Sequence, residues 1–204
     1  MSAALVSILG PPAVGKTTLA RHLAGQLPAG LIAEDYAGNP FLADSYAGQD
    51  SARLPAQLYF LLSRVAQLRC SDWPAGGMFV SDYGFCQDRI YAQLRLSAGD
   101  MMLYDSIAAR MESLVHPPDL VIALDAREAT LMYRIAQRGR AFERSMTAEF
   151  LSAARVAYNS LVDSLGCPVI VVDCDKTDLR RPDARAELLA ELRSRLPAGT
   201  EATR

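Results

Sequence analysis

The stretch Gly10-Pro11-Pro12-Ala13-Val14-Gly15-Lys16-Thr17-Thr18 lies between an apolar run, ALVSIL (4–9), and a helix-forming segment, LARHLAGQL (19–27). In this G-x-x-x-x-G-K-T pattern the glycines let backbone N–H groups turn inward around phosphate oxygens, and the helix that follows points its positive end at them. Lys16 is expected to reach the β and γ phosphates of a bound triphosphate and Thr17 to ligate magnesium. Gly10, Ala13, Gly15, Lys16, Thr17 and Thr18 are therefore candidate ATP-binding residues. The motif requires a strand before it and a helix after it, and both are present here.

The rest of the chain extends this frame. Continuous apolar runs at 4–9, 78–81 (MFVS), 119–124 (DLVIAL) and 168–173 (PVIVVD), with LIAE (31–34) as a weaker fifth, predict strands buried on both faces, as in a parallel sheet. Helical periods lie between them: Leu54, Leu58, Leu61, Leu62, Val65 and Leu68; Leu103, Ile107, Met111 and Leu114; Leu151, Ala154, Tyr158, Leu161 and Leu165; and Leu188, Leu189, Leu192 and Leu196. These residues are expected to pack the core. The alternation predicts a three-layer α/β fold of the P-loop NTPase kind, a five-stranded parallel sheet flanked by helices, in one domain over 1–197 with a flexible tail at 198–204.

With 204 residues, half of them hydrophobic, and a formal net charge of −2, the chain is neither disordered nor basic enough to expect a nucleic-acid partner. Lys16 and Lys176 are its only lysines among 21 basic residues, which makes a lysine in the glycine-rich loop informative. The four cysteines form no C-x-x-C pair and two histidines offer no zinc-site spacing, so a reduced, cytoplasmic setting is expected. No run approaches the roughly 18 apolar residues of a membrane span.

Three destinations for the terminal phosphate are open: water, another nucleotide, or a small hydroxyl-bearing acceptor. Asp35-Tyr36-Ala37-Gly38 and Asp175-Lys176-Thr177-Asp178 superficially match the D-x-x-G and N-K-x-D loops of a GTPase. The first leaves little room for a switch segment after Lys16, and the second has Asp where Asn belongs. A kinase needs a carboxylate at the acceptor hydroxyl, cations over the migrating phosphoryl group and a lid. RIAQRGRAFER (134–144) offers Arg134, Arg138 and Arg140 around a glycine, and arginine forks match phosphate oxygens in two-point fashion. Glu34 and Asp82 fall at predicted strand ends, where open parallel sheets place their ligand crevice, and Glu143 follows the arginines.

With these motifs the chain resembles the deoxynucleoside kinases, from about residue 4 to 180. EDYAGNPFLADSY (34–46) is similar to the family stretch that would make Glu34 the general base at the sugar 5′-hydroxyl and Tyr46 a ligand of the 3′-hydroxyl. QLYFLLSR (57–64) resembles the helix whose glutamine, here Gln57, reads the base edge, with Arg64 deeper in the base pocket. SDYGFCQDRIYA (81–92) resembles the acid-Arg-Ser stretch, giving Asp82 as the acid, also near magnesium with Thr17, and Asp88 as an aspartate near the base. The lid match implies that Arg134, Arg138 and Arg140 contact ATP and the moving phosphate, and that Glu143 joins Tyr46. VDCDKTDL (172–179) resembles the loop that packs on adenine and carries Asp175.

One departure stands out. Tyr83 and Gly84 replace the family's arginine and serine, so the arginine's role is absent, with lower turnover, or a changed acceptor, or a lid arginine taking the role over. The resemblance implies ATP- and Mg²⁺-dependent transfer to a (deoxy)nucleoside 5′-hydroxyl, catalysed by Glu34, Lys16, Arg138 and Arg140. It also implies a homodimer formed through the helices at Leu54–Leu68 and Leu103–Leu114. A nucleoside monophosphate kinase and a nucleotide-binding regulatory protein without catalysis stay open as alternatives.

Overall fold

A computed structural model of the chain describes residues 3–69 and 73–196; Cys70 and the segment 197–204, with the expected tail, lie outside the described residues. Five strands, β1 (Ala4–Leu9), β2 (Ala29–Ile32), β3 (Met78–Ser81), β4 (Leu120–Asp125) and β5 (Val169–Asp173), form one sheet in the order β2-β3-β1-β4-β5. Every pairing is parallel. The α-helices among the described residues are α1 (Lys16–Gln26), α2 (Leu42–Tyr46), α3 (Arg53–Leu68), α4 (Asp88–Arg95), α5 (Ala98–Met111), α6 (Glu128–Arg138), α7 (Ala148–Asp163) and α8 (Pro182–Arg195). None is long and apolar enough to cross a membrane.

The central strands are apolar on both faces because helices cover both: all six residues of β1 are buried, as are five of six in β4. β2 begins two residues earlier than expected and ends at Ile32 instead of Glu34. It is an edge strand with only Ile32 buried, so its apolar run is short, and Gly30 leaves room for the Phe79 ring, whose Cε1 lies 2.6 Å from where a Cβ would stand. Glu34 thereby moves off the strand into the loop beyond it. The expectation of core packing also fails at Leu62, Leu103 and Leu114, which are exposed. Their helical spacing is regular, but α3 and α5 pack against the domain by one face only.

β1 and β3 are neighbours, yet β1 connects onward to β2 on one side and β3 to β4 on the other. Such a switch point opens a crevice at the carboxyl ends of the strands. Gly10 leaves β1 there with φ +142° and Gly15 enters α1 with φ +119°, while Ala13 takes a left-handed φ of 63°. A Cβ on Gly10 would stand 2.2 Å from the Leu124 carbonyl oxygen at the end of β4, so both the backbone angle and the neighbouring strand require glycine. Gly10→Ala is expected to lower stability by about 1–3 kcal/mol, read as a lower midpoint in urea unfolding; an unchanged midpoint contradicts this packing.

Candidate active site

The phosphate loop builds the first wall. No side chain caps α1 and its first turn holds no acid, so its N–H groups stay available to an anion. Lys16 is buried, and its Nζ donates to the carbonyls of Gly10 (2.7 Å) and Pro11 (2.9 Å), which folds the side chain back over the loop. Burial pulls its pKa down to about 8, against the opposing pull of Glu34 and Asp82. A cation held this way lacks an anionic partner and gains one when phosphate arrives.

Asp82, the first residue past β3 and almost fully buried, joins this wall to the next. One carboxylate oxygen accepts from Thr17 Oγ1 at 2.5 Å and the other from the backbone N–H of Glu34 at 2.8 Å. The side chain of Glu34 turns inward to pair with Arg64, and Arg64 also pairs with Asp88. Asp88 in turn accepts from Gln57 Nε2 (3.0 Å) and from Tyr104 Oη (2.5 Å). Asp82 and Asp88, expected as substrate contacts, thus stand one step behind the cleft surface: Asp82 holds Thr17 and Glu34, and Asp88 holds Gln57 and Arg64, all of which line it.

The lid forms the opposite wall. α6 ends where Gly139 turns left-handed at φ 66°, and a short 3-10 segment, Ala141–Ser145, carries Glu143 back over the cleft. Glu143 is buried and held by both donors of an Arg138 fork, with Arg140 at 3.7 Å. Arg134 donates to the Val14 carbonyl at 2.8 Å, tying the lid helix to the phosphate loop. The root of α6 is fixed by Arg155, whose guanidinium bridges Asp125 (2.8 Å) and Glu128 (2.7 Å).

Lys16, Thr17, Thr18, Glu34, Tyr46, Gln57, Arg64, Arg134, Arg138, Arg140 and Glu143 all line one cleft. Ala13 and Gly15 line it too, while Gly10 lies behind them and contributes its carbonyl to Lys16. Asp175 does not line it. Its carboxylate accepts from the Arg127 N–H (2.7 Å) and Thr130 Oγ1 (2.6 Å) at the start of α6, so it caps that helix and any adenine contact from this loop falls to other atoms. Asp35 likewise closes a local turn through the Gly38 N–H and accepts from Tyr59 Oη, and Asp178 pairs with Arg180; neither acid lines the cleft.

The cleft also holds residues the motifs did not point to. Tyr36, Phe60 and Phe142 form an aromatic wall, with Tyr36 stacked on Phe142 at 6.1 Å and edge-on to Phe60 at 5.8 Å. Arg95, at the end of α4, lies 3.7 Å over the Tyr46 ring and donates to the Ser45 carbonyl. Burial pushes the Tyr46 phenol upward, so it stays a neutral hydroxyl. The available signal was compositional: aromatic and arginine side chains in short segments next to the motif residues.

A family model described as deoxynucleoside kinase matches residues 6–196. The chain is 29% identical over 185 residues to a deoxyguanosine kinase of Bacillus subtilis, covering 87% of this chain and 89% of that one. It is 26% identical over 196 residues to a deoxyadenosine/deoxycytidine kinase of the same organism, covering 92% and 90%. Its fold matches the deoxyadenosine kinase of M. mycoides with bound dATP at a TM-score of 0.80 and 21% identity, over 93% of this chain and 99% of that one. A phosphate loop, a strand-end carboxylate and an arginine lid around one cleft, matched over nearly the whole chain, place this protein in the deoxynucleoside kinase family.

Proposed function

We propose that the protein transfers the γ-phosphate of ATP to the 5′-hydroxyl of a (deoxy)nucleoside. Glu34 accepts the hydroxyl proton, the freed oxygen bonds to the γ phosphorus, and the bond from that phosphorus to the β–γ bridging oxygen breaks, its electron pair leaving with ADP. Lys16 and the arginines of the lid stabilise the charge on the moving group. Thr17, with Asp82 directly behind it, would hold Mg²⁺: a hydroxyl and a carboxylate already in contact are hard oxygen donors, and this cation takes few protein ligands beside phosphate and water. When bound, the cation would supply positive charge that offsets the negative charge of the triphosphate. Tyr46 and Glu143 take the 3′-hydroxyl, and Gln57 meets the base edge beside the aromatic wall.

The single observation that carries this reading is the distribution of charge along the cleft. At the phosphate loop it holds Lys16 without an acid partner, and at the far end Arg64 is matched by Glu34 and Asp88 and Arg138 by Glu143, while Arg95 lies over the Tyr46 ring and donates to Ser45. An acceptor with a phosphate of its own needs spare cations there; Arg64 and Arg138 are already neutralised and Arg95 is held against Tyr46 and Ser45, so a neutral nucleoside fits better than a monophosphate. With ATP, magnesium and a panel of natural nucleosides, a 5′-monophosphate is the expected product, and Glu34→Gln should lower kcat by about 10²- to 10⁴-fold. Preferential use of dTMP or another monophosphate would overturn the sugar-site assignments, and no transfer to any acceptor would leave a binding protein.

The depressed pKa of Lys16 gives a second test. Free protein at pH 8.5–9 carries Lys16 largely neutral, because its pKa lies at about 8; phosphate oxygens raise that value in the complex. ATP binding should therefore take up a proton at this pH and less at pH 7, seen as a buffer-dependent calorimetric heat that Lys16→Arg abolishes.

A homodimer fits the exposed Leu62 on α3 and Met102 and Leu103 on α5, three large apolar side chains on the helices named for that role. Replacing both Met102 and Leu103 by Glu is expected to shift sedimentation to the monomer with the melting transition retained. A reducing, cytoplasmic setting fits Cys86, Cys167 and Cys174, which are free thiols.

A further inference from the structure

Glu34 sits on a loop beyond the end of an edge strand, a weak mount for a general base. Its backbone is held by Asp82, but its carboxylate is free to rotate unless something fixes it. The lid arginines do not: Arg138 and Arg140 pair with Glu143, and Arg134 donates to the carbonyls of Val14 and Cys174. Tyr83, the residue after Asp82, points into a buried apolar cluster with Leu5, Ile32 and Leu68, and its hydroxyl donates to Gln67.

The arginine that does reach Glu34 comes from α3. Arg64 is 3% exposed, and its two terminal nitrogens go to different acids, one to Glu34 Oε1 and one to Asp88 Oδ1. The guanidinium packs on the Phe60 ring at 5.4 Å and the Tyr83 ring at 5.5 Å. Asp88 is itself held on its backbone as well, because Gln57 Nε2 also donates to its backbone carbonyl at 3.0 Å. A planar fork anchored on a rigid acid and braced by two rings is a fixed mount for whatever its other arm holds.

Resting on the kinase reading above, we propose that Arg64 is the positioning residue of the catalytic base. It holds Glu34 Oε1 so that Oε2 meets the acceptor hydroxyl, and the Tyr83 ring supports it from the core. Arg64 then acts on turnover through Glu34, beyond any contact it makes with the base of the nucleoside.

The test is a double-mutant cycle of Arg64→Lys and Glu34→Gln, with kcat and KM measured for one purine and one pyrimidine deoxynucleoside. Lysine keeps the charge but has a single nitrogen in place of the planar fork whose two terminal nitrogens reach the two acids. In the native background Arg64→Lys is expected to lower kcat by about 10- to 100-fold, by a similar factor for both nucleosides. In the Glu34→Gln background the further loss should be less than about threefold, since groups that act as a unit are not additive. Equal losses in both backgrounds overturn the proposal, as does an effect confined to KM that differs between the two bases. ATP affinity and the melting curve of Arg64→Lys, expected near the native values, separate positioning from misfolding; if Arg64→Lys does not fold, Asp88→Asn, which loosens the anchor and leaves Arg64 in place, is expected to show the same coupling to Glu34→Gln. Wild-type protein inert towards every nucleoside would overturn the kinase reading itself, which the native arm of the cycle reports separately.

Discussion

The two oxygens of Asp82 carry the constraint on which the site depends. One meets the Thr17 hydroxyl in the phosphate loop, and the other meets the backbone N–H of Glu34 in the loop beyond β2. Asp82 follows β3, which pairs with β1 on one side and β2 on the other, so a single buried carboxylate spans three strands at their carboxyl edge. A buried charge costs several kcal/mol unless it is hydrogen-bonded. Here donors from both neighbours meet that need, and their spacing across the sheet sets the distance between the phosphate loop and the Glu34 loop.

A second layer of pairing radiates from this point. Glu34 leads to Arg64, Asp88, Gln57 and Tyr104, and the lid arginines lead to Glu143. Each acid in this network has a donor from a different element, which is the condition under which buried polar groups specify one arrangement. The lid is tied separately, by Arg134 to the phosphate loop and by Arg155 at its root, so its helix is anchored at both ends while the turn after Gly139 carries Glu143.

Much of the molecule was legible along the chain. Doubly buried strands read as continuous apolar runs, and the phosphate loop declares itself through glycines whose backbone angles other residues strain to adopt. β2 was placed late, because an edge strand covered on one side shows no such run. Leu62, Leu103 and Leu114 were read as core because periodicity records which residues share a helix face and not what that face meets. Asp175 matched a loop motif, but its carboxylate caps α6 across a gap of 48 residues, a contact without any local signature.

What the sequence alone determined is chemistry with a local cause: a phosphate loop between strand and helix, a sheet of parallel strands, a glycine-hinged arginine segment, and acids just past strand ends. Each of these follows from backbone geometry or helical period within a few residues. The tertiary structure decided which acids face the cleft and which stand behind it, and that Arg64 rather than a lid arginine holds Glu34. Those outcomes turn on residues brought together from distant elements, where hydrogen-bond satisfaction among buried charges, and not spacing along the chain, selects the partner.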